Sequence, residues 1–235
     1  MLGVIVNAIA VIFGSVAGLL FSKFISEKHS DAIMKIIGLC VLYVGIDGTL
    51  EGNNTLVLIL SAVIGTAIGS VIDIDGKINK LGKFIENRFK PRNGKKASIA
   101  QGFVTASLLF CLGSMTIVGS FEAAVNGDNT ILFTKSIIDM FSACLLAASL
   151  GFGVIFSSVF VFISQSILVL IASLLGPVIP PAVQAEIICA GSIMIIGIGL
   201  NLAGITNIKV ANTLPAVLVV PLLVEPMNKL MALIS

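Results

Sequence analysis

The chain has 235 residues, 57 % of them apolar and only 11 % charged, with a formal net charge of +2. Soluble domains carry about 25 % charged residues, so this balance argues against a soluble globular fold. The small net charge gives no footing for nucleic acid. Eight of the 14 basic residues crowd one stretch: Lys77, Lys80, Lys83, Arg88, Lys90, Arg92, Lys95 and Lys96. On both sides lie apolar runs near the roughly 20 residues a helix needs to cross a bilayer. The expected fold is therefore all-α: a polytopic membrane protein of about eight glycine-rich spans, forming one transmembrane domain over residues 1–235.

The first span runs from about Leu2 to Phe21, followed by a polar loop with Lys23, Glu27, Lys28, His29, Asp31 and Lys35. A second covers about Ile36 to Leu50, and the turn Glu51-Gly52-Asn53-Asn54 leads to a third, about Thr55 to Ile72. The basic loop, residues 73–98, comes next. Within it Ile78, Leu81, Phe84, Ile85 and Phe89 recur at helical spacing, the pattern of an amphipathic helix lying on the membrane surface. The loop is read chiefly as a topology determinant, with contact to anionic headgroups as the alternative.

A fourth span is expected from about Ile99 to Phe121, and Asn126-Gly127-Asp128 signals a turn after it. Residues 130–175 are too long for one helix. A break at Gly151-Phe152-Gly153 gives a fifth and a sixth span; a re-entrant pair or one long tilted helix would make seven spans in all. Gly176-Pro177 and Pro180-Pro181 stop the sixth. The seventh runs from about Val183 to Ala203, and the eighth ends near Val224, interrupted by Pro215 and Pro221.

Cytoplasmic loops are enriched in Lys and Arg. The loops after the first and third spans are basic, while those after the second and fourth carry Asp47, Glu51, Glu122 and Asp128 without Lys or Arg. This alternation puts the N-terminus outside and the loops at 23–35 and 73–98 inside. The N-terminal run lacks the basic start and small-residue cleavage site of a signal peptide.

Three segments share a pattern. Gly113-Ser114-Met115-Thr116-Ile117-Val118-Gly119 is close to Gly191-Ser192-Ile193-Met194-Ile195-Ile196-Gly197, and Gly38 to Gly45 is a looser copy. Each leads to an Asn-Thr pair: Asn129-Thr130, Asn212-Thr213 and Asn54-Thr55. The 191 copy runs opposite to the other two, as in transporters built from inverted repeats; chance likeness of glycine-rich helices is the alternative. Gly14/Gly18 and Gly65/Gly69 mark close helix packing and are expected to pair with each other.

Ionisable groups at membrane depth cost on the order of 3 kcal/mol on insertion scales, so they usually face a cavity or a partner. Asp139 is the foremost candidate. Lys135 lies four residues before it, on the same helix face. The two read either as an ion- or proton-coupling carboxylate tuned by a lysine, or structurally, as a buried ion pair or as a lysine snorkelling to the outer headgroups. Gln165 in the sixth span either binds solute or joins helices by its amide. Asn7, Asn201, Asn212 and Ser107 complete the candidate ligand-binding set, with Asn212-Thr213-Leu214-Pro215 as a site-lining turn. Glu186 reads as favouring a helix N-terminus. Cys40, Cys111, Cys144 and Cys189 lack metal-site spacing and read as small buried hydrophobes. His29 stands alone, and with no phosphate loop or nucleophile elbow the chain reads as a non-enzyme without cofactors.

The run Gly102-Phe103-Val104-Thr105-Ala106-Ser107-Leu108-Leu109-Phe110-Cys111-Leu112-Gly113 resembles the signature of an uncharacterised bacterial membrane family of unknown function, the YqgA/YdfK type. Leu132 to Asp139, Gly151 to Val154, Gln165, Asn201-Leu202 and Val210 to Ala216 resemble its later segments. The resemblance implies a small multi-span inner-membrane protein and supplies no substrate. The expected function is a small secondary transporter for a small ion or organic solute, working as a homodimer because so short a chain offers little scaffold. A passive channel and a membrane sensor that uses the basic loop are the alternatives.

Overall fold

The computed structural model describes residues 1–22, 27–88, 99–175 and 179–234, without the side chains of 27–30, 81–82, 85–88, 114, 175 and 228–234. Lys90, Arg92, Lys95 and Lys96 of the basic stretch, Phe89, Lys23, and the Gly176-Pro177 stop lie outside the described residues. Ten helices follow in order: α1 (Leu2–Phe21), α2 (Glu27–Thr49), α3 (Thr55–Ile72), α4 (Ile74–Arg88), α5 (Ile99–Cys111), α6 (Ser114–Val125), α7 (Thr130–Leu150), α8 (Gly153–Leu175), α9 (Pro181–Leu202) and α10 (Ala216–Ile234). A short 3-10 turn, Val210–Thr213, precedes α10. Seven helices are long and apolar enough to cross a membrane, and α5 with α6 makes an eighth crossing if that bent pair is one span. The chain is an all-α, multi-pass membrane protein.

Its outside is oily and its inside carries the polar groups. Val71, Leu50, Leu222 and Phe141 point outward, all more than 60 % exposed. Asn7, Ser61, Thr116, Ser157 and Gln165 are fully enclosed. That inversion suits hydrocarbon surroundings, where helices gain nothing by hiding apolar side chains from lipid. The central helix is α9: 67 % of its spanning window is buried, against 22–44 % for the others.

Glycines set how the helices pack. A β-carbon on Gly14 or Gly18 of α1 would strike the carbonyl oxygens of Met140 and Cys144, so α1 lies backbone to backbone along α7. The two run parallel, since Gly3 donates its N–H to Asn129 Oδ1 at 3.1 Å at their starts. Gly65 and Gly69 of α3 meet the backbones of Ala216 and Asn212 instead. The expected pairing of Gly14/Gly18 with Gly65/Gly69 is thus corrected: each pair accepts a different partner helix. On α2, Gly38 and Gly45 sit 2.6 Å from Ala203 N and 2.8 Å from Ile196 N, measured to an added β-carbon. Helices α2 and α9 therefore run antiparallel, as do α3 and α10.

Two expected boundaries move. The loop after the first span is largely helical, because α2 already begins at Glu27. The fourth span is not continuous: it bends by 54° between α5 and α6, where Leu112 and Gly113 leave the helix. Gly113 takes an extended conformation and serves as the N-cap of α6. The seam of residues 130–175 is where expected, since Gly151 turns the chain with a φ of 79°, which suits glycine. Pro221 and Pro226 lie inside α10, so the interruption of the last span falls only at the 3-10 turn and Pro215.

Two ends of the bundle can be named by what they hold. The Met1 end gathers the α2–α3 turn, Asn129 and the start of α9; Asn53 and Asn54 donate their N–H groups to Glu186 Oε1 at 2.7 and 2.8 Å. The α4 end gathers α4, the start of α5 and the 3-10 turn. There Asp75 N–H donates to Asn212 Oδ1 at 2.8 Å. Ile74 and Ile78 of α4 pack on the core, while Phe84 is 68 % exposed.

Replacing Gly18 with Ala drives a β-carbon into the Cys144 carbonyl. We expect a loss of about 1–3 kcal/mol, read as a lower unfolding midpoint in detergent. Gly113→Ala meets only Thr116 Oγ1 at 4.0 Å and should stay within about 0.5 kcal/mol of the parent. At the start of α7, Asp128 accepts hydrogen bonds from the hydroxyl and N–H of Thr130, which hold its carboxyl below the ordinary aspartate range. A depressed carboxyl stabilises the fold above its unfolded value and loses that contribution as pH falls through its folded value. Asp128→Ala should therefore flatten the acid side of the stability profile below about pH 4.

Candidate functional site

Helix α7 buries Leu132, Lys135, Ser136, Asp139, Ala143, Leu146, Ala147 and Leu150. Their spacing is that of one helix face, and it carries two opposite charges into the bundle. Asp139 stands midway along the helix. Lys135 donates to Asp139 Oδ2, and both side chains are under 10 % exposed. Lys135 does not snorkel to the surface: one turn along the helix, the carboxylate is its partner. A pair so enclosed gains Coulomb energy and loses hydration, and only good geometry balances the two.

The pair has neighbours that its own helix does not supply. Gly119 of α6 packs on Ile131 and Leu132 of α7, and the two helices turn back on each other through residues 126–129, so the start of α6 and the end of α5 at Cys111 lie farther along α7, toward the pair. Cys111 Sγ and Ser164 Oγ of α8 share a hydrogen bond of 2.9 Å. The cysteine is thus part of a polar cluster, a correction to its reading as an inert hydrophobe. Immediately after it the helix breaks. Thr116 Oγ1 donates to Phe110 O at 3.1 Å across the gap, and Gly113 O accepts from Thr116 N–H at 2.9 Å. A helix end leaves carbonyls and N–H groups without helical partners, and here an end and a start meet beside the charged pair.

Asn7 and Gln165 form a second polar contact, tying α1 to α8. Asn7 Nδ2 donates to Gln165 Oε1 at 3.1 Å, and both residues are fully buried. Asn7 Oδ1 and Gln165 Nε2 have no hydrogen-bond partner among the described residues. Gln165 follows Ser164 directly, so this contact and the charged cluster share α8. Ser107 is buried one turn before Cys111 on α5, its hydroxyl also without a partner.

The other sequence candidates lie elsewhere. Asn201 closes the end of α9: its Oδ1 accepts from Thr206 and from Ile208 N–H, and its Nδ2 donates to Ile208 O, each at 2.8 Å. Asn212 serves α4 through Asp75. Both sit at the α4 end and are committed to backbone groups. Glu186 favours a helix start as expected, but it is the start of α3 rather than its own, and its Oε2 is buried without a partner. Among the described residues no three His, Cys, Asp or Glu side chains come together as metal ligands would.

Of the residues singled out in the sequence, Lys135, Asp139, Asn7, Gln165 and Ser107 are buried inside the bundle, while the Cys111–Ser164 contact and the helix break were not anticipated. The signal for the break was present: Gly113-Ser114-Met115-Thr116 puts a glycine and then hydroxyls midway in a span, as a helix start does. Chemically, the bundle interior offers a cation and an anion on α7, a thiol and a hydroxyl shared between α5 and α8, spare amide atoms in a separate contact between α1 and α8, and two helix ends where α5 meets α6.

Removing one charge leaves the other stranded. Asp139→Leu should cost about 3–5 kcal/mol, seen as loss of folded protein in detergent. The double variant Lys135→Met with Asp139→Leu should recover most of that loss, because no buried charge remains. A double variant as unstable as the single one would mean that the pair is not mutually compensating.

Comparison with known proteins agrees with this architecture. A family model described as a protein of unknown function, DUF554, matches residues 2–225. The chain is 32 % identical over 228 residues to the uncharacterized membrane protein YdfK of Bacillus subtilis (strain 168), covering 95 % of this chain and 96 % of the relative. It is also 32 % identical over 219 residues to the uncharacterized protein YqgA of Escherichia coli (strain K12), covering 92 % and 93 %. No solved structure matches the chain significantly. Matched over nearly its whole length, the chain belongs to the DUF554 family of membrane proteins.

Proposed function

We propose that the protein is a small secondary transporter that moves a small ion or small organic solute across the bacterial inner membrane, with its site around Asp139. One observation carries this reading: a buried Lys135–Asp139 pair beside a helix broken between Cys111 and Ser114. Broken helices at membrane depth suit places where a solute meets freed backbone groups. A purely structural ion pair needs no such break.

The antiparallel contacts of α2 with α9 and of α3 with α10 support an inverted repeat. They join two of the three segments that share the pattern, the looser copy Gly38–Gly45 with Asn54-Thr55, and Gly191–Gly197 with Asn212-Thr213. An axis in the membrane plane between them would let one half rock against the other. The N-terminus lies outside in this proposal and α4 lies on the cytoplasmic face, following the basic loop. A homodimer would give the moving half a fixed neighbour.

The test is uptake by proteoliposomes. Wild-type protein, under a proton or sodium gradient, is offered a panel of labelled small ions, organic acids, amines and amino acids. Asp139→Asn should lower the accepted solute's uptake about tenfold or more, and Gln165→Ala should weaken it to a lesser degree. Unchanged rates in both variants would remove the site assignment. Discrete conductance steps in planar bilayers would make the protein a channel instead.

A further inference from the structure

The nature of the solute can be argued from charge. The Lys135–Asp139 pair is enclosed and sums to zero. A lone anion binding Lys135 would displace Asp139 and strand it; a lone cation binding Asp139 would strand Lys135. Each leaves an uncompensated buried charge, the most costly electrostatic state in a protein interior. A neutral polar solute gains nothing from either group that the pair does not already provide. With both groups keeping their charge and no second ion bound, a ligand bringing both signs opens the pair and leaves every charge matched.

The backbone repeats this polarity independently. Helix α5 ends at Cys111 with its carbonyls and the negative end of its dipole, and α6 starts at Ser114 with its N–H groups and the positive end. The two ends are separated only by Leu112 and Gly113. Among the described residues, chain neighbours aside, an added β-carbon on Gly113 would meet only Thr116 Oγ1, at 4.0 Å. One turn before Cys111 on α5, Ser107 Oγ is buried with no partner among the described residues.

We propose that this site takes a small zwitterion of the α-amino acid class. Its carboxylate meets Lys135 and the N–H groups of α6 that precede Thr116, and its ammonium meets Asp139 and the carbonyl that ends α5 after Phe110. The proposal rests on the transport reading for its place in the cell, but the binding claim is separate. No bond is made or broken, and the site's net charge is zero with or without the ligand.

The experiment uses purified full-length protein in detergent. Glycine, L-alanine, L-serine and L-glutamine are tested singly for a saturable rise in unfolding midpoint. Acetate, which has the carboxylate alone, and ethylamine, which has the ammonium alone, are compared at equal ionic strength. At least one amino acid should raise the midpoint while acetate and ethylamine do not. Lys135→Gln and Asp139→Asn should each weaken that amino acid about tenfold or more. If a variant does not fold, the wild-type comparison still decides. Acetate or ethylamine acting as strongly as any amino acid would overturn the proposal, and so would a midpoint unmoved by all four amino acids. In either case, uptake of another solute by the proteoliposomes would leave the transport reading standing.

Discussion

The surface of this bundle faces hydrocarbon, and most of its structure follows from that constraint. Apolar burial drives soluble helices together, but lipid tails already solvate an apolar side chain. Attraction must come instead from close dispersion contact and from polar groups that find no partner in lipid. Glycine supplies the first. Gly14 and Gly18 bring α1 onto the backbone of α7, Gly65 and Gly69 bring α3 onto the last span, and Gly38 and Gly45 bring α2 onto α9. Side chains turned outward, such as Val71 and Phe141, need only be oily.

The polar groups inside are held to a stricter standard. Each must be matched within the protein, because no water is at hand. Lys135 finds Asp139, Asn7 finds Gln165, Cys111 finds Ser164, and Glu186 takes two backbone N–H groups. Not all are fully matched. Asn7, Gln165, Ser107 and Glu186 each keep one enclosed polar atom without a partner. Three of these residues lie on α1, α8 and α5, helices that touch one another or α7 around the charged pair. Among the described residues the hydroxyls of Ser15, Ser120, Ser149, Ser166 and Ser192 are likewise enclosed without a partner, whereas Ser136 and Ser157 bond to carbonyls of their own helices.

How far the fold was legible varied with the physics. Spans bounded by charge or by tight turns were readable: α1, α3 and the seam at Gly151 lie where hydropathy and glycine place them. The i,i+4 pairing of Lys135 with Asp139 was readable because it is local. Partner choice was not. Gly14/Gly18 and Gly65/Gly69 look alike in sequence, yet which backbone each meets is a tertiary matter. The break after Cys111 carries a local signal in Gly113-Ser114-Met115-Thr116, but the stretch around it is apolar on average, and hydropathy does not register a bend. Asn201 and Asn212 misled for a related reason: an asparagine near a span's end has the same composition whether it faces a solute or closes a turn.

Asn212 ties two environments together. Its side chain caps α4, the lysine-bearing helix along one end of the bundle, while its backbone is the surface against which Gly69 rests. The chain thereby fastens a segment suited to the headgroup layer onto the seam between two spans, with no flexible linker between them. A tilt of α3 against α10 must carry the start of α4 with it. Rocking in the oily interior would then register at the aqueous boundary as a displaced row of positive charge.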